Sequence, residues 1–317
     1  MAVMETRLGS AGAVLGRFYA LFALLMAFAM GAMAQSGALA DTLSAAFTLP
    51  RWRIGLVTAA LALTILLGGI RRIADISTVL VPVMALLYLG GGLAVILGNL
   101  RRLPEAVTLM LRCAVAPEAT LGGALGIVTR REALRWGVAR SVFSNEAGLG
   151  SAAITAACAD TDEPVKQGLI SMTGVFFDTM VICTVTGLAI CCSGTLGAAD
   201  GNGHPLTGAA LTLRAFETVL GPLAPWLIGV ALGLFAFTSV LGCAVQAETT
   251  ASYLLGPGAV RPCRVLYGLA VFAGAVIPMA AVLQLADLAN ALMAFPNLVC
   301  LLLLSDEIAG EGRRKDR

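Results

Sequence analysis

Long uninterrupted apolar runs, separated by short basic or Gly/Pro-rich connections, set the pattern of this chain. Runs near the ~20 residues that cross a bilayer as a helix extend over Phe18 to Ala40, Ile54 to Ile70, Thr78 to Gly98 and Val107 to Val128. Four more follow: Gly168 to Gly194, Leu223 to Ala247, Leu266 to Leu285 and Leu288 to Leu304, the last two close enough to predict a helical hairpin. The runs are continuous rather than alternating, so they predict helices and not the strands of a barrel. Arg112, Pro117, Glu118 and the pair Gly122-Gly123 interrupt the fourth run, and its glycines predict a broken helix. The fold class is therefore all-α: a polytopic membrane protein of about eight spans, in one transmembrane domain over residues 1–317.

Composition narrows the picture further. With 58% apolar and 13% charged residues and a mean hydropathy of +0.89, the chain is far from the roughly 25% charged of a soluble domain. A net charge of +2, spread over connecting loops, excludes a nucleic-acid surface. Eight cysteines without a CxxC pair, and one histidine in a Gly/Pro-rich connection, assemble no familiar metal cluster and no nucleophile with a nearby base, so an enzyme is not expected.

Charge also orients the spans. If they alternate strictly, 15 of the 21 basic residues fall on one side, which predicts a cytoplasmic-membrane protein with both termini cytoplasmic. Arg17, the first run and Ala32-Met33-Ala34 before Gln35 look like a signal peptide with its cleavage site. The run is long and seven more follow, so a retained span is the preferred reading.

Several polar residues stand out against this background. The segment 129–167 is the longest polar connection; within it Asn145, Glu146 and the glycines around them predict a cytoplasmic gate built from an amphipathic helix and a re-entrant turn. Asp178, about ten residues into the fifth run, costs about 2.5–3.5 kcal/mol to insert and must face a partner or an ion path. Thr238 and Ser239 either bond back to their own helix or offer oxygen to a small cation. Gly122 and Gly123 are either packing contacts or an unwound turn exposing amides to substrate, and Gln35 is either a helix-to-helix bond or a substrate contact.

These segments together resemble a known family. Gly68-Gly69-Ile70-Arg71-Arg72-Ile73, Val81-Pro82-Val83-Met84, Phe143-Ser144-Asn145-Glu146-Ala147-Gly148-Leu149-Gly150-Ser151, Phe177-Asp178-Thr179 and Met293-Ala294-Phe295-Pro296-Asn297-Leu298 closely resemble the alanine or glycine:cation symporter family. The resemblance implies a leucine-transporter-like inverted-repeat fold, the eight spans being core helices three to ten. It implies alternating-access symport of alanine or glycine with sodium as the coupling ion and no other cofactor. It further implies that Gln35, Gly122, Gly123 and Ser239 contact substrate and that Thr238 and Ser239 hold sodium.

The chain departs from the family at its start and within its spans, where Ala32 and Gly37 replace asparagines beside Gln35 and Ser239 replaces the second of two threonines. Family members carry an earlier core helix with a glycine-threonine-glycine-asparagine segment, so the resemblance implies that Met1 is an internal start and the N-terminal helices are lacking. A tryptophan-containing stretch of the family is replaced by Cys243-Ala244-Val245-Gln246-Ala247-Glu248, of which Glu248 alone is retained. These departures leave one alternative, an inactive remnant or a regulatory membrane protein that keeps the transporter scaffold.

Overall fold

The computed structural model describes residues 1–115, 130–146, 148–161, 163–199, 201, 203, 205–307 and 310, and every described element is helical apart from one isolated bridge between Ala199 and Pro205. Helix α1 (Ala2–Met26) runs through a π-helical segment (Ala27–Ala34) into α2 (Gln35–Phe47), so Ala32-Met33-Ala34 lies inside a continuous helix, with Ala32 and Ala34 buried. Thr48 closes α2 in the left-handed conformation, and Pro50 begins α3 (Arg51–Leu66). Next come α4 (Gly69–Gly98) and α5 (Leu103–Val115). From residue 130 onward, α6 (Arg130–Asn145) and the short α7 (Ser151–Ala156) precede α8 (Pro164–Val175), a second π segment (Phe176–Ile182) and α9 (Cys183–Ser193). Helices α10 (Gly208–Leu220), α11 (Ala224–Leu255), α12 (Val260–Val276) and α13 (Met279–Leu303) complete the order.

Among the described residues, six helical stretches are long and apolar enough to cross a membrane: Ala2–Phe47, Gly69–Gly98, Pro164–Ser193, Gly208–Leu255, Pro257–Val276 and Met279–Leu303. Two of the eight expected spans are not in this set. The run from Ile54 forms α3, which has 16 residues and stops at Leu66, short of the ~20 needed for a full crossing. The interrupted run from Val107 begins as α5, and the rest of it, with Gly122 and Gly123, lies outside the described residues.

The end of the chain corrects a boundary. The two last helices divide at Ile277 and Pro278, not after Leu285. Proline lacks an N–H and pushes the residue before it to extended backbone, and Ile277 has φ −72° and ψ 145°. Asp287, which falls in the short connection expected between Leu285 and Leu288, lies inside α13, where it pairs with Arg140. The expected hairpin is also corrected: α12 packs on α3 and the first π segment, whereas α13 packs chiefly on α1.

Helix α11 is the centre of the packing, against α2, α4, α1 and the first π segment. Close approach rests on small residues, as helix contacts in lipid require. A Cβ on Gly31 would sit 2.2 Å from the Cβ of Cys243, and one on Gly274 would sit 2.3 Å from the backbone of Met33. Those two glycines press the first π segment against α11 on one side and α12 on the other. Buried polar bonds add register: the Tyr267 hydroxyl donates to the Val240 carbonyl at 2.8 Å, tying α12 to α11.

Candidate functional site

The helix α6 ends at Asn145 because the backbone then turns left-handed. Glu146 has φ 55°, an unusual value for a side chain of its size, and Gly148 and Gly150 follow at φ 77° and 79°. The chain resumes as α7 at Ser151, whose hydroxyl donates back across the gap to the Glu146 carboxylate. From α13, the Asn297 amide donates to the Gly148 carbonyl at 2.9 Å. Gly150 is required here for room as well as conformation, since a Cβ would come within 2.5 Å of Asn297 Oδ1. Glu146, Gly148 and Gly150 thus mark a helix break between α6 and α7, held from both sides.

The same break is stitched to the second π segment. Ser144 Oγ donates to Asp178 Oδ2 at 3.0 Å, and Asn145 Nδ2 donates to Thr179 Oγ1 at 3.1 Å. π-Helical turns sit preferentially at functional sites, and here one carries Asp178 while the other ends one residue before Gln35.

A cavity of about 390 Å³ opens at this junction. Gln35, Glu146, Asp178 and Ser239 all line it, so residues from four separate places in the sequence meet in one space. Ser144, Thr155 and Gln246 add further polar groups, and Met30, Phe143, Gly242 and Cys243 supply the apolar wall. Asn145 is not among the lining residues; it anchors the break to Thr179 instead.

Thr238 and Ser239 part company. Neighbouring residues of a helix point about 100° apart. Ser239 faces the cavity, whereas the Thr238 hydroxyl is buried elsewhere and donates to the carbonyls of Leu234 and Phe235 at 2.9 and 3.0 Å, beside Met84 Sδ at 3.6 Å. Gly122 and Gly123, read as substrate contacts, lie outside the described residues.

Sequence reasoning passed over Gln246. The signal was present: Ser239, Gly242, Cys243 and Gln246 recur at the i, i+3, i+4, i+7 spacing of a single helix face. Gln246 is 5% exposed, its side chain hydrogen-bonds Glu146, and its Oε1 has no partner. The carboxylate two residues further along α11, Glu248, is committed to structure through two 2.8 Å bonds with Arg264.

Electrostatically the cavity is acidic. Glu146 lies outside the six long apolar helices, and burial pushes its carboxyl above the ordinary carboxylate range, opposed by the bonds from Ser151 and Gln246. No Lys, Arg or His is among its described lining residues. Nor do three or more His, Cys, Asp or Glu gather anywhere among the described residues, so the donors on offer are hard oxygens rather than a thiolate or imidazole set.

The comparisons with known proteins agree with one another. The family described as the sodium:alanine symporter family matches residues 1–313. The chain is 41% identical over 299 residues to an uncharacterized transporter of Haemophilus influenzae, covering 94% of this chain and 64% of that protein. It is 38% identical over 300 residues to the sodium/alanine symporter AgcS of Methanococcus maripaludis, with 95% and 64% covered. The probable sodium/glutamine symporter GlnT of Bacillus subtilis is 37% identical over 294 residues, with 90% and 59% covered. The chain therefore spans less than two thirds of the length of these curated relatives, yet nearly all of it aligns. With its multi-pass helical fold, this chain belongs to the sodium:alanine symporter family, a family of transporters and not of enzymes.

Proposed function

We propose that the chain carries out sodium-coupled symport of a small neutral amino acid, alanine or glycine, across the cytoplasmic membrane by alternating access, within a leucine-transporter-like inverted-repeat fold and with both termini cytoplasmic. The observation that carries the reading is the meeting of Gln35, Glu146, Asp178 and Ser239 around one cavity at a helix break. Broken helices place free carbonyls and hydrogen-bond donors inside a membrane, where a substrate or ion can use them. Gln35 and Ser239 offer neutral hydrogen bonds suited to a zwitterion, and the segment 129–167 acts as the inner gate through Asn145 and Glu146, with Asp178 facing them. A sodium ion moving inward contributes about 2.3 kcal/mol for each 100 mV of membrane potential, and transport follows because substrate and ion bind the two orientations unequally.

The substrates in the relatives' names, alanine for AgcS and glutamine for GlnT, both fit a neutral amino-acid cargo. Purified protein in liposomes tests the reading: an inward sodium gradient should drive uptake of labelled alanine above that of empty vesicles, and unlabelled glycine should compete. Uptake equal to that of empty vesicles, with or without sodium, would overturn it and leave a regulatory scaffold as the better account.

A further inference from the structure

We propose that the cavity holds a small hard cation, an alkali ion, between the carboxylates of Glu146 and Asp178 and the orphan amide oxygen of Gln246. The inference rests on the reading of this cavity as the translocation site, and it moves the ion from the Thr238–Ser239 hydroxyls to the break between α6 and α7.

Three independent features converge. First, two carboxylates line one space of about 390 Å³, with no basic residue among the described lining. The nearest arginine along the chain, Arg140, is already engaged by both oxygens of Asp287. Carboxylates that face one space with no basic side chain among its described lining attract a cation. Second, Gln246 is 5% exposed and its amide oxygen has no hydrogen-bond partner, although its side chain also bonds Glu146. Among the described residues no donor meets this oxygen, and an unmet acceptor that is buried is costly. A cation beside Glu146 removes that cost. Third, Ser144 occupies Oδ2 of Asp178 and so fixes the carboxylate while leaving Oδ1 for a ligand.

The donor chemistry selects the class of ion. Carboxylate, amide and hydroxyl oxygens suit hard cations and not copper or zinc. Thr238 does not line the space, and its hydroxyl is spent on its own helix. Ser239 does line it, and its hydroxyl completes the oxygen set without being the main source of affinity.

Equilibrium binding of sodium-22 to the purified chain in nanodiscs, without amino acid, tests the site. Glu146→Gln, Asp178→Asn and Gln246→Met should each weaken apparent affinity about tenfold or more. Thr238→Val should leave it within about twofold, since its hydroxyl bonds only its own helix and Met84. Size-exclusion profile and circular dichroism establish folding, and Gln246→Glu provides a second arm: it keeps an oxygen at the site and should retain binding even if Glu146→Gln does not fold. Unchanged affinity in the folded Gln246→Met and Asp178→Asn variants overturns the proposal, as does loss of binding in Thr238→Val alone. The transport reading fails separately. Sodium-driven alanine uptake that survives in those variants with unchanged ion affinity leaves symport standing without this site, whereas variant-sensitive ion binding without any uptake leaves the site standing without symport.

Discussion

Arg140 on α6 places its guanidinium 2.5 and 2.6 Å from the two carboxylate oxygens of Asp287 on α13, joining elements 147 residues apart. The guanidinium also lies over the rings of Phe143 and Trp136 at 4.9 and 5.6 Å. This pairing is an ionic link between the broken helix and the last long helix, and a second link, Asn297 to Gly148, comes from the same α13. Any motion of α6 must carry α13 with it or break this pair.

Separating the pair should therefore loosen the break before it unfolds the protein. Asp287→Asn should lower stability by about 1 kcal/mol, since both side chains are a third or more exposed and the pair is partly screened. The reversed pair, Arg140→Asp with Asp287→Arg, should recover part of that loss. Thermal unfolding of the two singles and the double in one detergent gives the coupling, and strictly additive losses would show that the contact contributes nothing of its own.

The tight contact between Gly31 and Cys243 predicts a steric coupling. Gly31→Ala brings a new methyl to 2.2 Å from the Cys243 Cβ, and helices so packed separate at a cost of about 1–3 kcal/mol. Cys243→Gly removes the opposing atom and should rescue the alanine variant. Melting temperatures of the four proteins in the cycle check this, and a Gly31→Ala variant as stable as the parent would show that the first π segment can withdraw from α11 without loss.

Much of this site is legible in the sequence, and the reason is that lipid gives a polar residue few innocent places. Gln35 and Asp178 stand out because each interrupts an apolar run, and both line the cavity. Gln246 does not stand out, because it sits in a segment read as a changed motif rather than as one face of α11. Thr238 and Ser239 look equivalent as adjacent hydroxyls, and the helix turns only one of them inward. The π segments leave no mark in composition, since an i→i+5 turn uses the same residues as an α-helix. Asp287 misleads for a physical reason: a charge between two apolar runs suggests a connection, whereas α13 runs through it and a distant residue, Arg140, pairs with it.

The divergence of the two hydroxyls gives a transport prediction. Ser239→Ala removes a group from the cavity wall and should cost about 1 kcal/mol of binding, a roughly fivefold rise in KM for alanine. Thr238→Ala should leave KM unchanged and act only through packing beside Met84. Initial uptake rates in proteoliposomes separate the two, and equal effects on KM would mean that both hydroxyls reach the substrate.

Glu146 gives the pH dependence. Burial holds its carboxyl above the ordinary carboxylate range, so between about pH 4.5 and its folded value the native state binds more protons than the unfolded chain. Stability is then lost as pH rises through that window, the reverse of a salt-bridged carboxylate. Burial is the cause of the shift and the bonds from Ser151 and Gln246 oppose it; Asp178 shares the cavity, the Tyr19 hydroxyl and the Cys243 thiol lie near the carboxylate, and no Lys, Arg or His is among the described lining residues. A cation bound at the ionised carboxylate opposes this trend, because a ligand that binds only the folded, deprotonated form stabilises it by mass action. Melting temperature should therefore fall with rising pH in choline chloride and fall less in sodium chloride of the same ionic strength, with the difference abolished in Glu146→Gln. A sodium effect on melting that is independent of pH, or that persists in Glu146→Gln, would place the ion away from this carboxylate.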